Sequence, residues 1–254
     1  MTKPKLLDLF CGAGGCTKGY QRAGFWVRGV DHKRQPRYCG EEFIQADALE
    51  YLARLIESGE IEDFDAVHAS PPCQAYSTTK SIWGNAYPDL LGSIREGLIF
   101  SRSAWVIENV NGAPLRHAIK LCGVQFGLKV YRHRFFESSE MLLAPAHLPH
   151  PEPMPRAGHG ISPSGYISVA GNICHADHAR KAMGIDWMTR DELSQAIPPA
   201  YTEFIGNQLM TAIRQDGIEE ASSLEKRIES HLSNIDARAA AEVGVYREGE
   251  DVEC

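Results

Sequence analysis

The feature that most constrains this chain is a regular alternation of short apolar runs with amphipathic stretches over its first 140 residues. Five apolar runs have the length of buried strands, at residues 5–10, 26–31, 43–47, 65–70 and 104–110. Stretches with helical spacing or helix-start signals lie between them, at residues 16–23, 48–58 and 88–100. This alternation predicts an α/β fold with a mainly parallel sheet and helices on both faces. Ligands of such folds bind beyond the carboxyl ends of the strands, so we expect the functional residues there.

A glycine-rich turn, residues 10–15, follows the first apolar run and opens the first predicted helix. Glycines let the backbone turn tightly and approach a ligand at a helix N-terminus. Asp31 and Asp47 end the next two apolar runs, and an acid about 20 residues after such a turn is placed to bond ribose hydroxyls. The third glycine of a GxGxxG pattern is missing, which favours an adenosine-type ligand over a dinucleotide. A helix–sheet turn with two surface aspartates is the alternative.

Two candidate catalytic residues follow the later apolar runs. Cys73 comes directly after Pro71 and Pro72, and because proline cannot continue a sheet, the cysteine is expected on a rigid strand exit. A thiol in such a place becomes a nucleophile where the thiolate is favoured; a structural cysteine is the alternative. Glu108 lies at the end of an apolar strand, where desolvation would raise its pKa and suit it to donate a proton. A structural anchor is its alternative.

Taken together, these motifs resemble the cytosine-C5 DNA methyltransferase family, in its compact phage and bacterial form. The resemblance covers residues 5–137 and 180–212. It comprises, in order, the glycine turn from Phe10 to Gly15, Pro72-Cys73-Gln74 with Ser77, Glu108-Asn109-Val110, Arg132-His133-Arg134, and residues 196–201 leading to Gly206-Asn207. It implies a Rossmann-like, S-adenosylmethionine-dependent enzyme that makes 5-methylcytosine in double-stranded DNA. The target cytosine would have to be flipped out of the duplex.

The resemblance also implies roles for individual residues. Cys73 would add to cytosine C6, Glu108 would hold or protonate N3, Arg134 would hold the O2 region, and Arg132 would organise the surrounding loop. Asp31 would bind the ribose and Asp47 the adenine amine. The implied cofactor-binding set is Phe10, Gly12, Ala13, Gly14, Gly15, Asp31, His32, Asp47, Ala48, Pro72 and Asn207, and the implied substrate-loop set is Gln74, Ser77 and Asn109.

Two departures from the family pattern concern the cofactor and the loop. Asp31 stands where a glutamate is usual, and Tyr131 precedes Arg132 without the usual glutamine-containing sequence. A third concerns size, because only about residues 138–185 are available for target recognition. Six of the 14 prolines fall within 144–165, which predicts a loop or small irregular region.

We therefore expect a catalytic core at 1–137, an irregular recognition region at 138–185, a C-terminal helix completing the core at 186–215, and an acidic amphipathic helical tail at 216–254. Residues 78–92 are expected to close over the flipped base, with an ordinary solvated loop as the alternative.

The tail carries 11 acidic and 4 basic residues, which accounts for the whole net charge of −7. The body is neutral, and residues 111–136 hold five basic residues and no acidic one, so phosphate binding is compatible with the charge. The tail is expected to serve packing or solubility, or to contact a protein partner.

Other classes of protein are disfavoured. Without a run of roughly 18 apolar residues a membrane span is excluded, and the start lacks a signal-peptide core. Seven scattered cysteines without a CxxC pair argue against a disulfide scaffold and for a reducing cytoplasm. The cysteine and histidines at 147–178 match no closed-site spacing, so no metal is predicted.

Four alternatives to a DNA methyltransferase stay open. They are an RNA (tRNA) cytosine-5 methyltransferase, an enzyme that transfers a different group to cytosine C5, a catalytically silent DNA-binding module, and a nicotinamide-dependent oxidoreductase. The last is supported by the glycine turn alone. A cognate restriction endonuclease is a further expected partner in the same system.

Overall fold

A computed structural model describes residues 2–72, 89–153, 160–171, 173, 175–215 and 226 of the 254-residue chain. The chain divides into two units, Met1–Met210 and Thr211–Cys254. In the second unit the described residues are 211–215, which are helical, and 226. The first unit carries the sheet.

Within the described ranges, seven strands form one sheet. The strands are β1 (Lys5–Leu9), β2 (Trp26–Asp31), β3 (Glu42–Gln45), β4 (Ala66–Ala69), β5 (Ala104–Asn109), β6 (Ile119–Leu121) and β7 (Arg134–Ser138). The helices are α1 (Gly15–Ala23), α2 (Ala48–Ser58), α3 (Leu91–Ser101), α4 (Ala176–Met183), α5 (Arg190–Gln195) and, within the first unit, α6 (199–210). Short 3-10 turns lie at Glu60–Asp63 and Gly123–Phe126.

The strand order is β3-β2-β1-β4-β5-β7-β6. The first five strands are parallel, and β7 pairs antiparallel with both β5 and β6. The mainly parallel sheet predicted from the sequence is confirmed. The chain builds outward from β1 to β3 and then returns to the other side of β1, so the strand order reverses between β1 and β4. Such a switch point opens a crevice at the carboxyl ends of the two strands.

Helices cover both faces of the sheet, as the alternating pattern predicted. On one face Leu7 and Leu9 of β1 pack with Leu52 of α2 and Leu98 of α3 in a buried apolar cluster. On the other face the hydroxyl of Thr17 in α1 donates to buried Asp8 at 2.5 Å, because alternate residues of a strand face opposite sides.

On the second face of the sheet, helices α1 and α6 pack closely against each other. The Thr202 hydroxyl of α6 donates to the Cys16 carbonyl of α1 at 2.8 Å. A Cβ at Gly19 would lie 2.0 Å from the Thr202 Oγ1 and 2.2 Å from the Pro199 carbonyl oxygen. Glycine is therefore required where α1 and α6 cross, and the predicted C-terminal helix lies against the core as far as residue 210.

The predicted helices at 16–23, 48–58 and 88–100 correspond to α1, α2 and α3. Strands β6 and β7 and helix α4 were not predicted. β7 was not predicted because it contains Glu137, a charged residue that interrupts the apolar run expected of a buried strand. Glu137 is nevertheless buried, because it forms a bidentate ion pair with Arg95 of α3 at 2.7 and 2.8 Å. No described helix is long and apolar enough to cross a membrane.

Candidate active site

A cavity of about 670 Å³ lies at the carboxyl ends of β1, β2, β4 and β5. This is where the strand order reverses, and the volume falls within the range of small-molecule sites. The lining comes from the segments that follow these strands and from the region around α5; it comprises Asp8, Phe10–Ala13, Gly15, Cys16, Asp31–Gln35, Ser70–Pro72, Glu108, Val110, Arg134, Met188, Asp191, Glu192 and Ser194–Ile197.

The predicted glycine turn forms one wall of the cavity. Gly14 caps α1 with φ of +88°, a left-handed conformation that favours glycine. A Cβ at Gly15 would lie only 2.6 Å from the Ile197 carbonyl oxygen, so the residues before α6 also require glycine here. The Trp187 indole donates to the Ala13 carbonyl at 2.8 Å. The turn is thus held by backbone contacts from the later part of the first unit.

Asp31 lies at the end of β2 and faces the cavity. Its Oδ2 accepts from the Gly12 amide at 3.1 Å and its Oδ1 from the Lys33 amide at 2.8 Å. The His32 Nδ1 is 3.3 Å from Oδ1. Since a carboxylate oxygen accepts more than one hydrogen bond, Asp31 is oriented by the backbone and still able to accept a ligand hydroxyl.

Four residues of the predicted cofactor set do not line this cavity. Gly14 belongs to the glycine turn and caps α1. Asp47 is exposed and caps α2, its Oδ1 accepting from the backbone amides two and three residues later at 2.9 and 3.1 Å. Ala48 is 2% exposed and packs in the apolar cluster beneath α2, and Asn207 is exposed on α6. Cofactor contact by all four stays a prediction.

Glu108 ends β5 as a buried carboxyl inside the cavity. The Nε of Arg134, at the start of β7, lies 3.0 Å from its Oε1. Burial raises the pKa of Glu108 above its ordinary value, while Arg134, a hydrogen bond from Ser70 and the charge of Arg132 lower it. Desolvation is the larger effect, so the site favours the protonated acid more than water does.

A chain of buried hydrogen bonds leads to Glu108 through residues that sequence reasoning missed. The Tyr20 hydroxyl lies 2.9 Å from His68 Nδ1, and His68 Nε2 lies 2.9 Å from Ser70 Oγ. Burial lowers the pKa of His68 to about 3, so the ring is neutral. An ionised Glu108 accepts only, which makes Ser70 its donor, His68 Nε2–H the donor to Ser70, and Tyr20 the donor to Nδ1. The one sequence signal was a serine between a strand and two prolines.

Other predicted residues brace the cavity from outside. Arg132 is buried with φ of +35° and donates to the carbonyls of Val169 and Ser194. The Asn109 side chain donates to the Pro71 carbonyl at 3.1 Å. The exits of β4 and β5 are thereby fixed to each other.

The predicted nucleophile, Cys73, lies outside the described residues, as do Gln74, Ser77, most of the 78–92 loop, and the acidic tail except Lys226. Pro72, to which Cys73 is bonded, lines the cavity. Among the described cysteines, Cys11 and Cys16 also line it, but burial raises the pKa of both thiols well above the ordinary value. They are poor nucleophiles, as their predicted structural role requires.

Comparison with known proteins points to one kind of enzyme. Residues 4–89 match the family described as C-5 cytosine-specific DNA methylase. The chain is 35% identical over 81 residues to type II methyltransferase M.FnuDI of Fusobacterium nucleatum, covering 32% of this chain and 24% of that protein. It is 29% identical over 123 residues to type II methyltransferase M.AgeI of Thalassovita gelatinovora, covering 42% and 28%.

The chain therefore spans about a quarter of the length of these curated relatives. Its fold is also similar to the crystal structure of a protein described as a DNA modification methyltransferase encoded within an E. coli prophage. That likeness has a TM-score of 0.58 at 15% identity and covers 82% of this chain and 99% of the other. At this identity it supports the fold, and the Rossmann-like architecture expected from the sequence is confirmed.

Proposed function

We propose that this chain transfers a methyl group from S-adenosylmethionine to C5 of cytosine in DNA. The observation that carries the proposal is the buried Glu108–Arg134 pair, which shares one cavity with the glycine turn and with Pro72. A proton-handling acid, a nucleotide-binding turn and the residue before a candidate nucleophile thus converge at the switch point of the sheet. The match of residues 4–89 to the C-5 cytosine-specific DNA methylase family supports the reaction class.

The cavity residues fit S-adenosylmethionine, the cofactor that this family match implies. The Phe10 ring and the glycine turn offer an apolar surface beside exposed backbone, and the Asp31 carboxylate is oriented to accept ribose hydroxyls. When bound, the cofactor supplies an electrophilic methyl group. Phe10, residues 12–15, Asp31, His32 and Pro72 are the residues that would hold it.

Cytosine C5 is a weak nucleophile, and the proposed role of the protein is to activate it. The Cys73 thiolate forms a bond to C6 while Glu108 gives its proton to N3, so the electrons of the C5–C6 double bond become available at C5. C5 would then form a bond to the methyl carbon while the bond from that carbon to the cofactor sulfur breaks, so that the cofactor leaves as a neutral thioether. Loss of the C5 proton to solvent water would expel the Cys73 thiolate, and N3 would return its proton to Glu108, which restores the aromatic ring.

Arg134 serves this chemistry in two ways. It orients Glu108 through the 3.0 Å ion pair, and its position in the cavity suits it to bind the O2 of the pyrimidine. Asn109, Gln74 and Ser77 are proposed to order the substrate loop. Residues 138–185 are proposed to contact DNA around the flipped base, and the acidic tail 216–254 is proposed to serve packing or a protein contact. A cognate endonuclease stays a prediction.

The substrate is tested by supplying purified protein and tritiated S-adenosylmethionine with duplex DNA or with tRNA in parallel. Mass spectrometry of the product nucleosides then identifies the group transferred and the sugar. We expect 5-methyldeoxycytidine from DNA. Methylated cytidine from tRNA alone would replace the DNA proposal with the RNA alternative, and a heavier modified cytosine would show transfer of another group.

The nucleophile is tested with Cys73→Ser against Cys254→Ser as a matched control. DNA containing 5-fluorocytosine cannot lose a proton from C5, so the wild-type protein and Cys254→Ser are expected to remain covalently attached to it in a denaturing gel. Cys73→Ser is expected to form no adduct and no product while its cofactor affinity stays near the wild-type value. An adduct that persists in Cys73→Ser, or equal loss of cofactor binding and product, would contradict the assigned role.

A further inference from the structure

A second cluster of reactive side chains lies outside the cavity. Cys122 follows β6, His133 precedes β7, and His147 and His150 lie in the proline-rich segment after β7. One ligand atom from each of the four residues lies within 4.8 Å of the others. The antiparallel pairing of β6 with β7 brings two of the four residues together. Leu121 lies opposite Arg134, so the residues just beyond that pair are Cys122, after β6, and His133, before β7.

Two of the distances between the ligand atoms are close to those of a tetrahedral metal centre. With Zn–N of about 2.0–2.1 Å and Zn–S of about 2.3 Å, a tetrahedron places its nitrogens about 3.3 Å apart and sulfur and nitrogen about 3.6 Å apart. The Nε2 atoms of His133 and His147 are 3.0 Å apart, and Cys122 Sγ is 3.5 Å from His150 Nε2. The other distances are at most 4.8 Å, so shifts of about 1 Å or less would place all four atoms around one ion.

Neighbouring residues hold the ligands in place. Gln125 accepts from the Cys122 amide and donates to the Pro145 carbonyl, both at 2.6 Å. Tyr131 stacks on the His150 ring with centroids 3.8 Å apart and donates to the Glu152 carbonyl. Both contacts join the β6–β7 region to the proline-rich segment, so the positions of the ligands are set by contacts other than those among themselves.

We propose that Cys122, His133, His147 and His150 bind one structural zinc ion. Four protein ligands complete a tetrahedron and leave no open position for substrate, which distinguishes a structural from a catalytic zinc site. The ion would attach the proline-rich segment to the edge of the sheet. In structural metal sites the free energy of metal binding contributes to folding. The proposal does not depend on the proposed methyl transfer.

The proposal is tested by measuring the metal content of the full chain with elemental mass spectrometry. The chain is expressed in zinc-supplemented medium and purified without a polyhistidine tag. About one zinc per chain is expected in the wild type, as one four-ligand site requires. Cys122→Ser and His150→Ala should lower it to background. His117→Ala, which alters an exposed histidine outside the cluster, should leave it unchanged. Wild-type protein without zinc, or variants that retain it, would overturn the proposal.

Two further measurements separate loss of metal from loss of fold. A strong chelator should lower the Tm of wild-type protein, and added zinc should restore it. Cobalt substituted into wild-type protein should show a thiolate-to-cobalt charge-transfer band that moves or disappears in His150→Cys, where the sulfur count changes, and is absent in Cys122→Ser. A Tm indifferent to chelator and zinc would show that the four side chains are only hydrogen-bonded to one another.

Discussion

Replacing Arg134 with alanine should expose the energetic link between the two charged residues of the cavity. The side chains of Arg134 and Glu108 are only 16% and 7% exposed and lie 3.0 Å apart. The substitution leaves a buried carboxylate without its cation, and breaking a buried pair in this way costs about 3–5 kcal/mol of folding free energy. The alanine variant should therefore lose that amount at a pH where Glu108 is ionised.

The cost should depend on pH with a definite sign. Burial raises the pKa of Glu108 and Arg134 opposes the rise, so removing Arg134 raises that pKa further. The added cost is fully present above the Glu108 pKa of the variant and shrinks as the pH falls from that pKa towards the lower Glu108 pKa of the wild type. It is absent below the wild-type pKa, because the acid is then protonated in both proteins. The bond from Arg134 to the His133 carbonyl at 2.9 Å is lost at every pH.

Urea unfolding of wild type, Arg134→Ala, Glu108→Gln and the double variant measures the coupling directly. At about pH 8 we expect a coupling free energy of about 2–3 kcal/mol, the upper part of the range for residues in contact, with a smaller value at about pH 5. Arg134→Lys keeps the charge and should recover part of the coupling. Equal losses from Arg134→Ala in the wild-type and Glu108→Gln backgrounds at the higher pH would refute the argument.

Two further predictions concern buried carboxyls. Ser70→Ala removes a hydrogen bond that lowers the Glu108 pKa; at about 1.5–3 kcal/mol for a bond to a charged group, the apparent pKa in the pH–rate profile should rise by about 1–2 units. Ser101→Ala, which removes a buried hydroxyl bonded to Leu98, should leave the profile unmoved, and an unmoved profile in Ser70→Ala would contradict the assignment. Burial raises the pKa of Asp8 from 3.8 to about 7, partly opposed by Thr17. Protonation of Asp8 therefore stabilises the fold below about pH 4, and this stability is lost as the pH rises through about 7. Asp8→Asn avoids this loss, and its free energy of unfolding in urea at about pH 8 should exceed that of the wild type by up to about 4 kcal/mol. Free energies of unfolding that fall in parallel with rising pH in the two proteins would contradict this prediction.

The central sheet could be predicted from the sequence because its strands are buried on both faces. A buried parallel strand is written as a continuous apolar run, and a polar residue at the end of that run marks the edge where ligands bind. Asp31 and Glu108 were found by this signal, and both line the cavity. The signal gives the position of a residue along its strand but not the direction of its side chain. The Asp47 carboxylate, found by the same signal, caps α2, and its contact with the cofactor stays a prediction.

The remaining parts depend on pairing between distant segments. β7 carries two largely buried charged residues, and contacts with other elements explain their burial: Glu137 pairs with Arg95 of α3, and Arg134 pairs with Glu108 of β5. Ser70 accepts a hydrogen bond from His68, and His68 accepts one from Tyr20 of α1. No local pattern in the sequence states such contacts. The histidines of the proline-rich segment failed to suggest a metal site for the same reason, since the nearest suitable partners are brought to them by the pairing of β6 with β7.

The start of β7 joins the cavity to the proposed zinc site. His133 and Arg134 are consecutive residues, and they serve the zinc cluster and the Glu108 ion pair respectively. A side chain fixed by a metal restricts the backbone torsions on either side of it, so an ion bound to His133 would limit the positions open to Arg134. The Arg134 guanidinium lowers the Glu108 pKa, and any loosening of β7 weakens that effect. Loss of zinc would accordingly raise the Glu108 pKa in the same direction as Arg134→Ala, although to a smaller extent, because the cation itself remains.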